Sequence, residues 1–334
     1  MPIHHSRLSR VWLFIAAVAV GSASACLAAD AEPAGSTNGP IPVIFDTDIG
    51  DDIDDTWALM MLLKSPQFDL KLVTTTCGKA EYRAKIIAKL LTVAGRTDIP
   101  VGLGEGGREG VGRQQPWVQD YKLTDYPGKI HQDGAGAVID AINQSPRPIT
   151  VIAIGPLHTL AAVLDRQPQV AAKASLAGMF GSVRKGYGGG PVSAEYNVKA
   201  NATAARKVLS APWRQITITP LDTCGLINLS GQRFQALKLS NDPCVRALLE
   251  NYRIWAGKET IEQLQASSVL FDTVAVYLAN PGVKPLLELE TLSIVVTDDG
   301  NTRIDPAGKQ MSVATAWKDL DGFRDLLVKT LAGP

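Results

Sequence analysis

Cysteine and histidine are scarce in this chain, and each occurs four times among 334 residues. Four cysteines in so long a chain exclude the disulfide framework of a small secreted protein. Cys224 and Cys244 can pair in an oxidising compartment, but the sequence does not fix the distance between them. Stability must therefore come from a hydrophobic core, for which a hydrophobic content of 46% is ample.

An excess of charge of either sign is also missing, because 33 basic side chains balance 33 acidic ones. Proteins that bind nucleic acid through its phosphates present a basic surface. No basic stripe interleaved with aromatic residues occurs in this sequence. We therefore expect no nucleic-acid partner.

The apolar run Val11–Val20 near the N-terminus is shorter than the roughly 20 residues that a membrane-spanning helix requires. Basic residues precede it and small residues follow it up to Ala29, a pattern typical of export signals. We predict an export signal peptide over residues 1–29, a linker over residues 30–40, and a secreted or periplasmic mature protein without a transmembrane helix. A lipoprotein anchored through Cys26 and an uncleaved N-terminal anchor are the alternatives.

Short apolar runs alternate with helical patterns along the rest of the chain, which predicts βαβ units. We therefore expect an α/β fold: a single-domain open, mostly parallel, Rossmann-like sheet over residues 41–334, with helices on both faces. Hairpin and helix patterns close the chain, at Leu287–Ile304 and Gly322–Leu331. The predicted strands are Val43–Phe45, Leu70–Thr75, Ile149–Ile154 and Ile216–Thr219. The predicted helices are Thr56–Lys64, Glu81–Ala94, Ala135–Asn143, Thr159–Arg166 and Thr203–Ser210.

The densest chemical signal is a group of six aspartates within ten residues, directly after the first predicted strand. Carboxylates crowded into one turn repel each other by about 1 kcal/mol per close pair in water, and by more in a less polar environment. Such a group indicates a counter-cation. No cysteine or histidine lies among the six, so the ligands are oxygens, as hard ions such as Ca²⁺ and Mg²⁺ prefer.

The position of these aspartates also points to a ligand site. The apolar helix that follows them predicts that they lie at the carboxyl edge of the first strand, where open α/β sheets bind ligands. The segment Gly102–Gly112 holds six glycines, but it lacks the order of strand, G-x-G-x-x-G and helix. We interpret it as a mobile loop rather than as a dinucleotide-binding fingerprint.

Three further segments are informative because of their order along the chain. They are Ile154–Leu157 at a strand end, Ala194–Asn197 after a glycine-rich loop, and Phe271–Tyr277, in which one aspartate opens an apolar helix. Each alone is also explained by a strand end, surface polarity or a helix cap. Together with Asp46–Asp55, they make the chain resemble the inosine–uridine-preferring nucleoside hydrolase family, whose motifs include D-T-D-P-G-x-D-D, G-P-L-T-N and A-E-F-N.

The resemblance implies a hydrolase that cleaves the N-glycosidic bond of a ribonucleoside or a related ribosylated molecule, and the N-terminal pattern predicts that it is exported. It implies one Ca²⁺ per chain, with Asp48 accepting a proton from a metal-bound water. A homo-oligomer is possible. By position, the metal ligands would be Asp48, Asp55, Asp272 and the carbonyl of Ile154, and the substrate-binding residues would be Asp54, Glu195 and Asn197.

The chain departs from the family pattern at several positions. Phe271 stands where relatives often have a histidine that protonates the leaving base, and His131 is an alternative donor or simply a loop residue. Lys79 replaces an asparagine near the metal. Trp255 is either a base-stacking residue or a helix-packing residue. The inserted Asp51 and Asp52 have no counterpart in the shorter family motif.

Two other functions fit parts of the pattern. A Mg²⁺-dependent phosphatase of the haloacid-dehalogenase type also places two aspartates after its first strand, but it leaves Asp54, Asp55 and the segment Ala194–Asn197 unexplained. A non-catalytic exported protein that binds nucleosides or ribose would keep the metal and sugar groups without turnover. Phe271 and Lys79 are the residues that favour this second alternative.

Overall fold

The structure is a computed structural model that describes Met1, residues 39–280, Gly282 and residues 285–333. The predicted export signal and Cys26 lie outside the described residues. The strands are β1 (Ile41–Thr47), β2 (Phe68–Thr75), β3 (Val101–Gly102), β4 (Ile130–His131), β5 (Ile149–Ala153), β6 (Ala174–Met179), β7 (Ile216–Thr219), β8 (Leu287–Val296), β9 (Thr302–Ile304) and β10 (Lys309–Trp317).

Helices separate most of the parallel strands, as the alternating pattern predicts. They are α1 (Asp54–Leu63), α2 (Ala80–Val93), α3 (Gln115–Val118), α4 (Gly134–Gln144), α5 (His158–Arg166), α6 (Tyr196–Lys199), α7 (Ala202–Ser210), α8 (Leu221–Cys224), α9 (Gly231–Lys238), α10 (Pro243–Trp255), α11 (Thr273–Leu278) and α12 (Leu320–Ala332).

The strands form one open sheet in the order β4-β3-β2-β1-β5-β6-β7-β10-β8-β9. Its strands pair in parallel from β4 to β10, and the hairpin β8–β9 adds an antiparallel edge. The chain builds outward from β1 to β4 and then returns to place β5 beside β1. The crevice between the carboxyl ends of β1 and β5 is therefore the switch point where such sheets bind ligands.

Two apolar layers cover the two faces of the sheet. In α1 every residue except Leu63 is buried, which confirms the helix that the sequence predicts to be apolar nearly all round. This burial fixes α1 against the sheet and thereby fixes the acidic residues at its start. The aspartates thus lie on a rigid part of the molecule.

The predicted fold class is confirmed, including the C-terminal hairpin and helix. The sequence pattern missed β6 and β10, which complete the centre and one side of the sheet. Cys224 and Cys244 are free thiols, so the disulfide that their spacing left open is not formed. Among the described residues, no helix is both long and apolar enough to cross a bilayer.

Candidate active site

A pocket of about 740 Å³ opens at the carboxyl ends of β1 and β5. Residues from distant parts of the chain meet in it because the sheet brings strand ends to one edge. Its floor is acidic, and its upper wall carries arginine and aromatic side chains. The predicted site residues that line it are Asp48, Asp54, Asp55, Ile154, Glu195, Asn197, Trp255 and Asp272.

Three buried carboxylates form the centre of the floor. One oxygen from each of Asp54, Asp55 and Asp272 lies within 4.8 Å of the others. Burial raises the pKa of Asp55 and Asp272 well above the ordinary value, and it raises that of Asp54 to about 8. Neighbouring carboxylates add to these shifts. Such a group favours a bound cation, because a cation removes the mutual repulsion.

Threonine hydroxyl groups near the ends of β1 and β2 orient two of the aspartates, Asp55 and Asp46. Thr47 donates a hydrogen bond to Asp55 and accepts one from the backbone N–H of Ile49 at 3.0 Å. Thr74 donates to Asp46 at 2.6 Å. Asp46 is fully buried, its second carboxylate oxygen has no hydrogen-bond partner, and burial raises its pKa well above the usual range. Asp46 therefore supports the end of β1 rather than lining the pocket.

Asp48 lies in the same pocket and packs against the backbone of Gly155. A Cβ at Gly155 would stand 2.6 Å from Oδ1 of Asp48 and 2.8 Å from its main-chain nitrogen. Burial raises the pKa of Asp48 to about 6, while the nearby charge of Arg83 opposes the rise. A carboxylate with such a pKa can exchange a proton near neutral pH.

Arg83 is a functional residue that the sequence reasoning missed. Its side chain is fully buried, and it donates to the carbonyls of Asp48, Ile49 and Gly78 and to the carboxylate of Asp51. It thereby joins the turn after β1 to the turn after β2. A signal was present, because a charged residue within the apolar stripe of a helix is rarely buried without partners.

The inserted Asp51 serves structure rather than the metal. It accepts from Lys79 at 2.6 Å and from Arg83 at 2.9 Å. Burial acts to raise its pKa, but these two cations outweigh that effect and lower it. Lys79 therefore points at Asp51. Trp255 donates from Nε1 to the carbonyl of Asp51 at 3.0 Å and stacks on Tyr252, so it also helps to hold this turn.

The segment after the second glycine-rich loop lies beside the carboxylates. Asn197 donates from Nδ2 to the carbonyl of Ile154 at 2.8 Å, which fixes the oxygen that the resemblance assigns to the metal. The buried carboxylate of Glu195 accepts from the backbone N–H groups of Gly181, Asn197 and Val198. Burial nevertheless raises the pKa of Glu195 to about 7.

The positions of two predicted residues bear on the roles assigned to them. His131 lies on β4, three strands from β1, and it is not among the described residues that line the pocket. The structure thus does not bring this histidine to the site, because the sheet order puts β4 at the edge. Asp54 lies within the group of three carboxylates that can hold a metal, and its assignment by resemblance to a ribose hydroxyl stays a prediction. Phe271 lines the pocket and packs against Tyr187 at a ring distance of 5.8 Å.

Known proteins share this fold. A plant nucleoside hydrolase, the PpNRh1 enzyme, superposes with a TM-score of 0.74 at 23% identity, covering 88% of this chain and all of that one. An inosine–uridine preferring nucleoside hydrolase from Bacillus anthracis superposes with a TM-score of 0.69 at 18% identity and the same coverage.

Sequence relatives agree with the structural ones. The non-specific ribonucleoside hydrolase RihC of Salmonella enteritidis is 25% identical over 318 residues, which cover 87% of this chain and 97% of RihC. The pyrimidine-specific ribonucleoside hydrolase RihA of Citrobacter koseri is 27% identical over 189 residues, which cover 51% of this chain and only 57% of RihA. The family model for inosine-uridine preferring nucleoside hydrolases matches residues 43–324. With the acidic pocket in place, this match shows that the chain belongs to the inosine–uridine preferring nucleoside hydrolase family.

Proposed function

We propose that the protein is a Ca²⁺-dependent nucleoside N-ribohydrolase, which uses water to cleave the bond between a ribose and its base. The observation that carries the proposal is the convergence of Asp54, Asp55 and Asp272 within 4.8 Å, in one pocket with Asp48. These residues come from opposite ends of the chain. A charged group of this kind is costly to assemble unless it binds something positive.

The residues fit a calcium ion. The donors are oxygens of Asp48, Asp54, Asp55 and Asp272, with the carbonyl of Ile154 beside them. Calcium takes roughly six to eight oxygens, whereas magnesium prefers few protein ligands and keeps several waters. When bound, the ion would offset the carboxylate charge, hold sugar hydroxyls and make a water more acidic.

Asp48 is the proposed proton acceptor. Its carboxylate faces the pocket and is held from behind by Gly155 and by the hydrogen bond from Arg83 to its own carbonyl. It takes a proton from water as the oxygen attacks the anomeric carbon and the bond to the base breaks. The negative floor stabilises the oxocarbenium character that the sugar acquires.

Glu195 and Asn197 are the proposed sugar-binding residues. Both are buried, both line the pocket, and backbone contacts fix both side chains. Fixed groups lose little conformational entropy on binding, so they position the ribose precisely for attack. Because His131 lies on an edge strand, we propose that the leaving base interacts with the arginine and aromatic side chains of the upper wall instead.

We also propose that the protein is exported and that residues 41–334 form the mature hydrolase domain. The basic, apolar and small-residue pattern of residues 1–29 supports this proposal. Mass spectrometry of protein recovered from a periplasmic or secreted fraction will locate the new N-terminus. A chain that begins at Met1 would contradict cleavage, and a diacylglyceryl mass on Cys26 would favour the lipoprotein.

A panel of nucleosides assayed for free reducing sugar tests the activity. We expect hydrolysis that a chelator abolishes and that added calcium restores. Ribose binding measured by calorimetry without turnover of any nucleoside would favour a non-catalytic binder. Release of phosphate from nucleotides without free base would favour the phosphatase, which family membership already disfavours.

A further inference from the structure

Two arginines stand in the pocket wall above the acidic floor. Arg108 and Arg113 belong to the segment that joins β3 to α3, here called the arginine loop (residues 103–113). Both side chains are exposed to solvent. In the described part of the chain, neither guanidinium has an acidic side chain within ion-pair distance, although the charge of Arg113 acts on Asp52.

The arginine loop is in direct backbone contact with the turns that follow β1 and β2. A Cβ at Gly78 would lie 2.4 Å from the carbonyl oxygen of Arg108, so only glycine permits this approach. The N–H of Gly78 also donates to the carbonyl of Glu105 at 3.2 Å. At the other end of the loop, a Cβ at Gly112 would lie 2.2 Å from the carbonyl of Gly50. The turn after β1 and the turn after β2 therefore set the position of the arginine loop.

The contacts of the two guanidinium groups are with neutral partners. Arg108 donates to the hydroxyl of Tyr196 at 2.9 Å and lies 3.9 Å from the sulfur of Cys77. Arg113 lies 5.4 Å from the centre of the Trp255 ring. An arginine carries five N–H donors, so most of them are free for a ligand in the pocket. Planar guanidinium groups favour carboxylate and phosphate oxygens.

We propose that the arginine loop is an anion-binding subsite and that the preferred substrates are ribosides carrying a carboxylate or a phosphate. This inference rests on the proposed hydrolase activity, which it makes more specific. A negatively charged ligand would be repelled by the floor unless positive charge faced its outer end. Arg108 and Arg113 supply that charge, and the exposed rings of Tyr187 and Tyr196 flank the planar part of the ligand.

The test compares matched substrates on the calcium-loaded, full-length mature enzyme. Uridine is neutral, 5-carboxyuridine carries the charge on the base, and uridine 5′-monophosphate carries it on the sugar. The kcat/KM of each is measured for the wild type, Arg108→Gln, Arg113→Gln and the double variant. The matched control is Arg214→Gln, because Arg214 is exposed, lies between α7 and β7, and does not line the pocket.

We expect the wild type to prefer one of the two anionic substrates over uridine. Each arginine should contribute about tenfold to that preference, the size expected of a hydrogen bond to a charged group. Added salt should reduce the preference, because it screens exposed charges. The anionic substrate that the wild type prefers shows whether the subsite recognises an anion on the base or at the 5′ position.

Two results would overturn the inference. One is cleavage of uridine without preference for either anionic partner, which would leave the hydrolase intact. The other is an equal loss for all three substrates in the arginine variants, which would show that the arginines do not recognise an anion. If nothing is cleaved, the proposed activity fails, and calorimetric Kd values for uridine, 5-carboxyuridine and uridine 5′-monophosphate then decide the subsite, since equal affinities for all three refute it.

Discussion

The buried guanidinium of Arg83 donates a hydrogen bond to the main-chain carbonyl of Asp48. Through it, α2 fixes the turn that carries the proposed proton acceptor. The same group also contacts Ile49, Gly78 and Asp51, so one side chain joins two strand-end turns. Its positive charge also limits the rise that burial causes in the pKa of Asp48.

Replacing Arg83 should therefore destabilise the protein and weaken metal binding together. Arg83→Met leaves three carbonyls without this donor and leaves the Asp51 carboxylate with Lys79 alone, and each buried group without a partner costs about 1–3 kcal/mol. Arg83→Lys should recover only part of the loss, because an ammonium group lacks the planar fork. Denaturant unfolding with and without calcium measures both effects.

The control for this experiment is Arg166→Met. Arg166 is exposed and pairs with Asp133 and Glu105, and such surface pairs contribute about 0–1 kcal/mol. Equal losses for the two variants would show that the turns do not depend on Arg83.

Gly155→Ala should lower stability, and it should reduce turnover by more than the loss of folded protein explains. The added Cβ would meet the Asp48 carboxylate at 2.6 Å and must displace it. A displacement near 1 Å can cost about a hundredfold in rate. Steady-state kinetics and thermal unfolding on the same sample separate the two effects. Gly282→Ala is the control, since among the described residues its Cβ would meet the Asn280 side chain at 3.4 Å and no other atom more closely. An active Gly155→Ala enzyme would place the Asp48 carboxylate outside the reaction.

Asp48→Asn and Asp46→Asn should differ sharply although they make the same chemical change two residues apart. An amide at position 48 cannot accept a proton, and general-base catalysis contributes about 10²- to 10⁴-fold. Asp46 is buried, accepts a hydrogen bond from Thr74 and does not line the pocket, and burial raises its pKa, so an amide should replace it with little change in turnover. The kcat values of the two variants, compared with that of the wild type, test this prediction. Near-wild-type turnover by Asp48→Asn would remove Asp48 as the base.

The metal-free protein should become less stable as pH rises. Burial raises the pKa of Asp54 to about 8 and those of Asp55 and Asp272 well above the unfolded value. The folded state then binds more protons than the unfolded state from about pH 4 upward, so the unfolding free energy falls as pH rises through the folded pKa values. Calcium needs the ionised carboxylates, and its stabilising effect should therefore grow between pH 5 and 8.

Thermal unfolding across this pH range, with chelator and with calcium, measures both the stability of the metal-free protein and the stabilisation by calcium. In Asp272→Asn one titrating group is gone, so the slope without metal should be shallower than in the wild type. A metal-free stability that rises steadily with pH, or a calcium effect independent of pH, would contradict the carboxylate group as the metal site.

Local pattern was sufficient for much of the fold. Residues 151–153 of the buried strand β5 are continuously apolar, and α1 is apolar nearly all round, so both were visible in sequence. By contrast, β6 reads Ala-Ser-Leu-Ala-Gly-Met, with none of the β-branched valine or isoleucine that marks strands. Its burial between β5 and β7, rather than its own propensity, makes it a strand.

Residue order alone shows that a dense acidic segment follows the first strand, and it implies a cation there, because crowded carboxylates repel one another in any conformation. It also determined that Asp272 begins an apolar helix. Tertiary structure alone decided that Asp54 joins Asp55 and Asp272, that Asp51 faces Lys79 and Arg83, and that His131 lies at a sheet edge. The reason is that strand order and close glycine contacts set distances between segments far apart in the chain, and no local pattern encodes those distances.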